Sequence, residues 1–97
     1  MIEAGDGRLS VSAPMVIANA RTLLETGRRC LPLGKSADPV LLDLAAVAEV
    51  DSSALSVVLA WLRTAAERGV VLRIAHPPAS LISLAALYGV SELLPLA

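Results

Sequence analysis

Val40-Leu41-Leu42-Asp43-Leu44 is the stretch that most limits what this chain can become. It is shorter than an ordinary helix, and every residue but Asp43 is aliphatic, so neither face is marked for water. Such a run is expected of a strand buried on both faces, the usual condition of the central strand in a parallel sheet. Parallel neighbours cannot be joined by hairpins; they need crossovers of a dozen residues or more, usually helical. An α/β fold follows if helices flank the run on both sides.

The flanks meet that condition. Arg8-Leu9-Ser10-Val11-Ser12 alternates polar and apolar residues as a half-buried strand does, Pro14 ends it, and Met15 and Val16 offer an extension of the sheet. From Ile17 to Leu31 apolar residues recur at Ile17, Ala20, Leu23, Leu24 and Leu31, and Arg28 and Arg29 suit the C-terminal end of a helix dipole. Gly27 is the weak point of that helix, and Pro32 and Gly34 stop it before a polar turn from Lys35 to Pro39. Downstream of the central run, Asp51 and Ser52 are good N-caps, helix formers continue to Arg68, and Gly69 is placed to terminate. Val70 to Ile74 is a short β-branched strand, and His76-Pro77-Pro78 a rigid loop. Leu81, Leu84, Ala85 and Tyr88 then mark one face of a third helix ended by Gly89, with a last short turn from Val90 to Leu94. Strand and helix alternate throughout, which predicts one α/β domain over residues 1–97, a single sheet with helices mostly on one side.

The core of that domain must be aliphatic, because hydrophobic residues make up 56% of the chain, aromatics only 2%, and there is no Phe. So many apolar side chains in 97 residues leave some for a partner to cover. Eight basic against nine acidic residues, with no basic cluster backed by aromatics, argue against nucleic acid. Cys30 is the only cysteine, read as a small buried helix residue; no internal disulfide or cysteine-based zinc cluster can form, which suits a reducing compartment. The most apolar stretch, Ser80 to Ala97, is interrupted by Tyr88-Gly89 and Pro95, and the N-terminus carries Glu3 and Asp6 without a basic n-region. The expectation is a soluble cytoplasmic protein.

Candidate chemistry is sparse. Gly34-Lys35-Ser36 lacks the glycine a phosphate loop needs five residues earlier, where Arg29 stands. His76 is the sole histidine, so a catalytic triad would have to join it to Ser52 or Ser53, and no Gly-x-Ser-x-Gly elbow exists. One His and one Cys supply no metal-ligand spacing, and no motif implies a cofactor. Asp43, a charge in an apolar strand, is expected near the strand end with loop amides as partners. Asp51-Ser52-Ser53 is more informative, since it places a carboxylate and two hydroxyls at a helix N-terminus. Capping explains it. The same free N–H groups and dipole would also stabilise a phosphate on Ser52.

Laid out at about 100° per residue, the helix from Ser52 to Arg68 has two apolar stripes. Leu55, Val58, Leu59, Leu62 and Ala66 are assigned to the sheet; Ala54, Val57, Trp61 and Ala65 lie beside them; Ser52, Ser53, Ser56, Arg63, Thr64 and Glu67 face away. The second stripe needs a cover, either a neighbouring helix or a partner protein with Trp61 as its anchor.

With Val50-Asp51-Ser52-Ser53-Ala54-Leu55 opening a long helix after the apolar strand, the chain resembles STAS domains from about Arg8 to Pro95. That resemblance implies a mixed sheet of about four strands with three to four helices mostly on one face, and no enzymatic activity. Bacterial anti-sigma factor antagonists of this family carry Asp-Ser-Ser-Gly-Leu, and an anti-sigma factor kinase phosphorylates the serine that corresponds to Ser52; this chain has Ala54 in place of the glycine. Leu59-Ala60-Trp61-Leu62-Arg63 and Leu87-Tyr88-Gly89-Val90-Ser91-Glu92-Leu93-Leu94 are more similar to MlaB-like subunits of the Mla phospholipid-transport ABC system. The resemblance implies binding to the ABC transporter ATPase subunit, with membrane association only through that complex. The expected partner surface is Asp51, Ser52, Ser53, Ser56, Val57, Ala60 and Trp61. The alternative it implies is a phosphorylation switch at Ser52.

Overall fold

The computed structural model describes residues 1–31 and 38–97. The expected helix stop at Pro32 and Gly34, most of the Lys35–Pro39 turn and the Gly34-Lys35-Ser36 segment lie outside the described residues. In chain order the elements are β1 (Ile2–Gly5), β2 (Arg8–Val11), a 3-10 turn (Ile17–Asn19), α1 (Ala20–Cys30), β3 (Val40–Asp43), α2 (Ser52–Glu67), β4 (Leu72–Ala75), α3 (Ala79–Leu87) and a second 3-10 turn (Ser91–Leu93).

The strands form one mixed sheet in the order β1-β2-β3-β4. β2, β3 and β4 are parallel, with Leu9, Leu42 and Ile74 in register, and α1 and α2 make the two crossovers. β1 is antiparallel to β2 and was not expected from the sequence. Its signal was present: Asp6-Gly7 joins two strand-like segments, and Gly7 takes a φ of 68°, which a side chain would resist. The three helices of the described residues lie on one face of the sheet, as expected.

Leu9, Val11, Val40, Leu42, Leu72 and Ile74 point into that helical layer and are buried. β3 is not buried on both faces as expected, because Leu41 and Asp43 alternate with its buried residues and are only half covered. The other face of the sheet carries the registers Ser10-Asp43-Ala75 and Arg8-Leu41-Arg73, which none of the described helices overlies. Continuous apolar sequence thus overstated the burial of this strand; half-coverage of Leu41 is enough to hold it.

α1 packs on α2 at unusually short range, and Gly27 is the reason. A Cβ at residue 27 would lie 2.7 Å from Cζ2 of Trp61 and closer still to other indole atoms. The glycine that weakens α1 as a helix is therefore what admits the only large aromatic of the core. The indole Nε1 donates to the Leu24 carbonyl at 3.2 Å, which satisfies the one polar atom buried with the ring. Alongside, Arg28 Nε donates to Thr64 Oγ1 at 3.3 Å.

The second apolar stripe of α2 is thus closed within the chain. Trp61 is 2% exposed and Val57 5%. Trp61 is not a surface anchor: the neighbouring helix, not a partner, covers it. Two finer assignments also change. Thr64, expected to face water, is buried under α1, and Ala66, expected on the sheet, is exposed. The helix is rotated toward α1 because Trp61 has to be housed there. Leu31 caps α1 instead of belonging to it, and Cys30 is half-buried at its last position.

Candidate functional site

Asp51 organises the N-terminal end of α2. A parallel bridge between Met15 and Val50, with Met15 N–H donating to Glu49 and Asp51 N–H donating to Met15, fixes the backbone just before the helix. Asp51 is the N-cap in extended conformation, and its Oδ1 accepts from Ser53 N–H at 2.8 Å and from the Ser53 hydroxyl. Its Oδ2 accepts from Ile17 N–H at 2.9 Å. One carboxylate thereby ties the first turn of α2 to the 3-10 turn before α1. The Ser53 side-chain bond, then the Ile17 amide, hold the Asp51 carboxyl below the usual aspartate range, against a smaller opposing effect of desolvation.

Ser52 is the odd one out. Its neighbours are engaged by the cap, while Ser52 is exposed at the first helical position. One turn on, Ser56 is exposed on the same side.

Around these serines the surface is grooved. One cleft of about 510 Å³ is bounded by Ile17, Ser52, Ser53, Leu55, Ser56, Leu59, Tyr88 and Val90. A second, of about 270 Å³, lies between Ile17, Ala20, Arg21, Leu24, Ser53, Ser56 and Val57. Ile17, 74% exposed, is the ridge between them. Tyr88 and Leu87, at 57% and 77%, project from the end of α3, where Gly89 with a φ of 70° turns the chain back so that Val90 lines the first cleft.

Of the residues expected to meet a partner, Asp51, Ser52, Ser53 and Ser56 are gathered at this groove. Ala60 is half-covered and borders neither cleft, Val57 contributes only the edge of its side chain, and Trp61 is removed to the core. Sequence reasoning missed Ile17, Arg21, Tyr88 and Val90 as groove walls. Ile17 and Tyr88 have the spacing of core residues, and only the 3-10 turn and the α3 terminus swing them out.

His76 lies elsewhere. It follows β4 with a φ of 53°, and its Nδ1 stands 3.2 Å from Asp43 Oδ1. Asp43 closes β3 as expected, accepting from Ala45 N–H at 3.0 Å and from Arg8 Nη1 at 3.3 Å. The Ala45 amide, more than the flanking charges, holds the Asp43 carboxyl below its usual range despite desolvation. His76 therefore serves Asp43 and makes no hydrogen bond to Ser52 or Ser53 among the described residues, so no catalytic triad is assembled. No group of His, Cys, Asp or Glu among the described residues could hold a metal ion. No helix among them is long and apolar enough to cross a membrane.

A three-helix layer on one face of a mixed four-stranded sheet, with the candidate site at the N-terminus of the second crossover helix, defines the α/β class of the protein. The family model described as "Mlab, STAS domain" matches residues 2–95, and the chain belongs to the STAS domain family. Among solved structures, that of a Thermotoga maritima protein assigned as an anti-sigma factor antagonist is similar, with a TM-score of 0.74 and 17% identity over 99% of this chain and 83% of that one. At that identity the likeness is one of fold. No curated protein matches the chain.

Proposed function

We propose that this chain is a cytoplasmic regulatory STAS module of the anti-sigma factor antagonist kind, which docks a partner protein over the N-terminal half of α2 and is switched by phosphorylation of Ser52. The observation that carries the reading is the exposure of Ser52 at the first position of α2, beside a cap that engages Asp51 and Ser53. A kinase can reach that hydroxyl without unfolding the helix. The phosphate would add up to about two negative charges at the rim of the groove, next to an Asp51 carboxylate that is already ionised. Like charges at one spot repel an acidic partner and recruit a basic one, which makes docking conditional on the modification.

The test is phosphosite mass spectrometry on protein purified from its own cells and after incubation with serine kinases that co-purify with it. Phosphate on Ser52, and a partner affinity that changes about tenfold or more in Ser52→Asp, are expected. An unmodified Ser52 together with a Ser52→Asp variant that binds as well as the parent would sink the reading.

A second reading has its own support in the description of the matching family model. In it the same surface binds the ATPase subunit of an Mla-type phospholipid-transport ABC complex, with the module held at the inner membrane through that subunit. Co-expression with an ABC transporter ATPase subunit from the same cells separates the two. A stable complex lost in Ser52→Arg and indifferent to phosphorylation favours the transporter reading; no complex removes it.

A further inference from the structure

The two clefts at the head of α2 share Ile17, Ser53 and Ser56 but differ in charge: Arg21 lines the second cleft, and none of the residues bounding the first is charged. Among the described residues Arg21 makes no ion pair, not even with Glu25 one turn further along α1. A ridge with an apolar depression on each side is read by two apolar side chains, and an unpaired guanidinium at the edge is read by a carboxylate.

We infer that the occupant of this groove is an acidic amphipathic helix of a partner protein, which seats one large apolar side chain on either side of Ile17 and places an Asp or Glu against Arg21. This rests on the docking role given to the α2 surface in the proposed function and names the chemistry of what docks. Apolar side chains about one turn apart lie on the same face of a helix, so both can splay into the groove from one side. The Ile17 side chain is free to serve as the ridge because only its backbone is engaged, the N–H in the bond to Asp51 and the carbonyl in accepting from Ala20 N–H. The Arg21 contact supplies orientation: reversing the peptide would carry its carboxylate toward Tyr88, away from the cation.

A library of random 16-residue peptides displayed on phage and selected against the folded chain tests this. Selected peptides are expected to share two large apolar residues about one turn apart and a nearby Asp or Glu. The synthetic form of the best binder should lose roughly tenfold in affinity against Arg21→Glu. It should lose a similar factor against Ile17→Ala, with amide shifts at Ile17, Ser53 and Ser56 in the parent. Replacing its acidic residue by Lys should restore binding to Arg21→Glu. The inference is overturned if no peptide is selected, if the selected set lacks an acid, or if Arg21→Glu binds unchanged. It is equally overturned if the groove takes a second copy of the chain, seen as a dimer in sedimentation that Ile17→Ala dissolves. Binding to phosphatidylglycerol vesicles that depends on Arg21 would overturn it too. Failure here and failure of the proposed switch are separable: partner binding that responds to Ser52→Asp but not to Arg21→Glu removes only the inference. Peptide binding that needs Arg21 while Ser52 is never modified removes only the switch.

Discussion

Asp51 and Ser52 are adjacent in sequence and opposite in use. Asp51 is spent on structure, bonding two backbone amides and a hydroxyl from two elements, and this leaves Ser52 exposed. The sign of its pH dependence follows from the lowered carboxyl. A group whose folded pKa lies below its unfolded value contributes stability that is complete above the unfolded value of about 3.9. The contribution is lost as pH falls from there through the folded value. Urea midpoints of the parent should therefore drop more steeply below about pH 4 than those of Asp51→Asn, with the two curves converging in acid. Parallel curves would show that the cap is not coupled to folding. Asp43 should behave in the same direction, since its carboxyl is lowered as well. Asp51 as a cap was legible from residue type alone. That it also holds Ile17 was not, because Ile17 is 34 residues away in sequence and the bond exists only once the Met15–Val50 bridge has formed.

At the scale of elements, the contact between α1 and α2 decides what α2 presents to the outside. Gly27 and Trp61 are one device, and each explains the other. In Gly27→Ala the methyl would meet the indole, and overpacking costs about 1–3 kcal/mol, against about 1 kcal/mol regained in helix propensity. Because the approach is so close, net destabilisation of about 1–2 kcal/mol is expected. In a Trp61→Leu background the same change should become neutral or stabilising, and a double-mutant cycle from urea melts reads the coupling. An additive pair would place the indole elsewhere. Trp61 is also the only tryptophan, so its emission should be blue-shifted in the native state and poorly quenched by iodide until unfolding. Sequence periodicity found both stripes of α2 and the excess of apolar surface. It could not say which neighbour covers the second, because a helix of the same domain and a helix of a partner bury the same side chains in the same way.

For the molecule as a whole, the sheet has two edges with different protection. Beside β4, Ile74 N–H donates to Pro95 and Ala97 N–H donates to Ile74, so the residues after the last 3-10 turn cover that edge. A chain stopped after Leu94 loses both bonds, at about 0.5–1.5 kcal/mol each. It should melt earlier and associate more readily through the bared edge. Equal stability and dispersity would show that the cover is incidental. The α/β class, the order of strands and helices from Arg8 onward, the cap at Asp51 and the helix terminations at Gly69 and Gly89 were legible in the order of residues. These rest on local rules: apolar period, capping chemistry and the backbone freedom of glycine. That β1 joins the sheet, that Trp61 belongs to the core, and that Ile17, Tyr88 and Val90 share a cleft with Ser52 while Arg21 lines the one beside it came from packing. Each of those depends on how two elements distant in sequence approach each other, and close packing, not local preference, sets that distance.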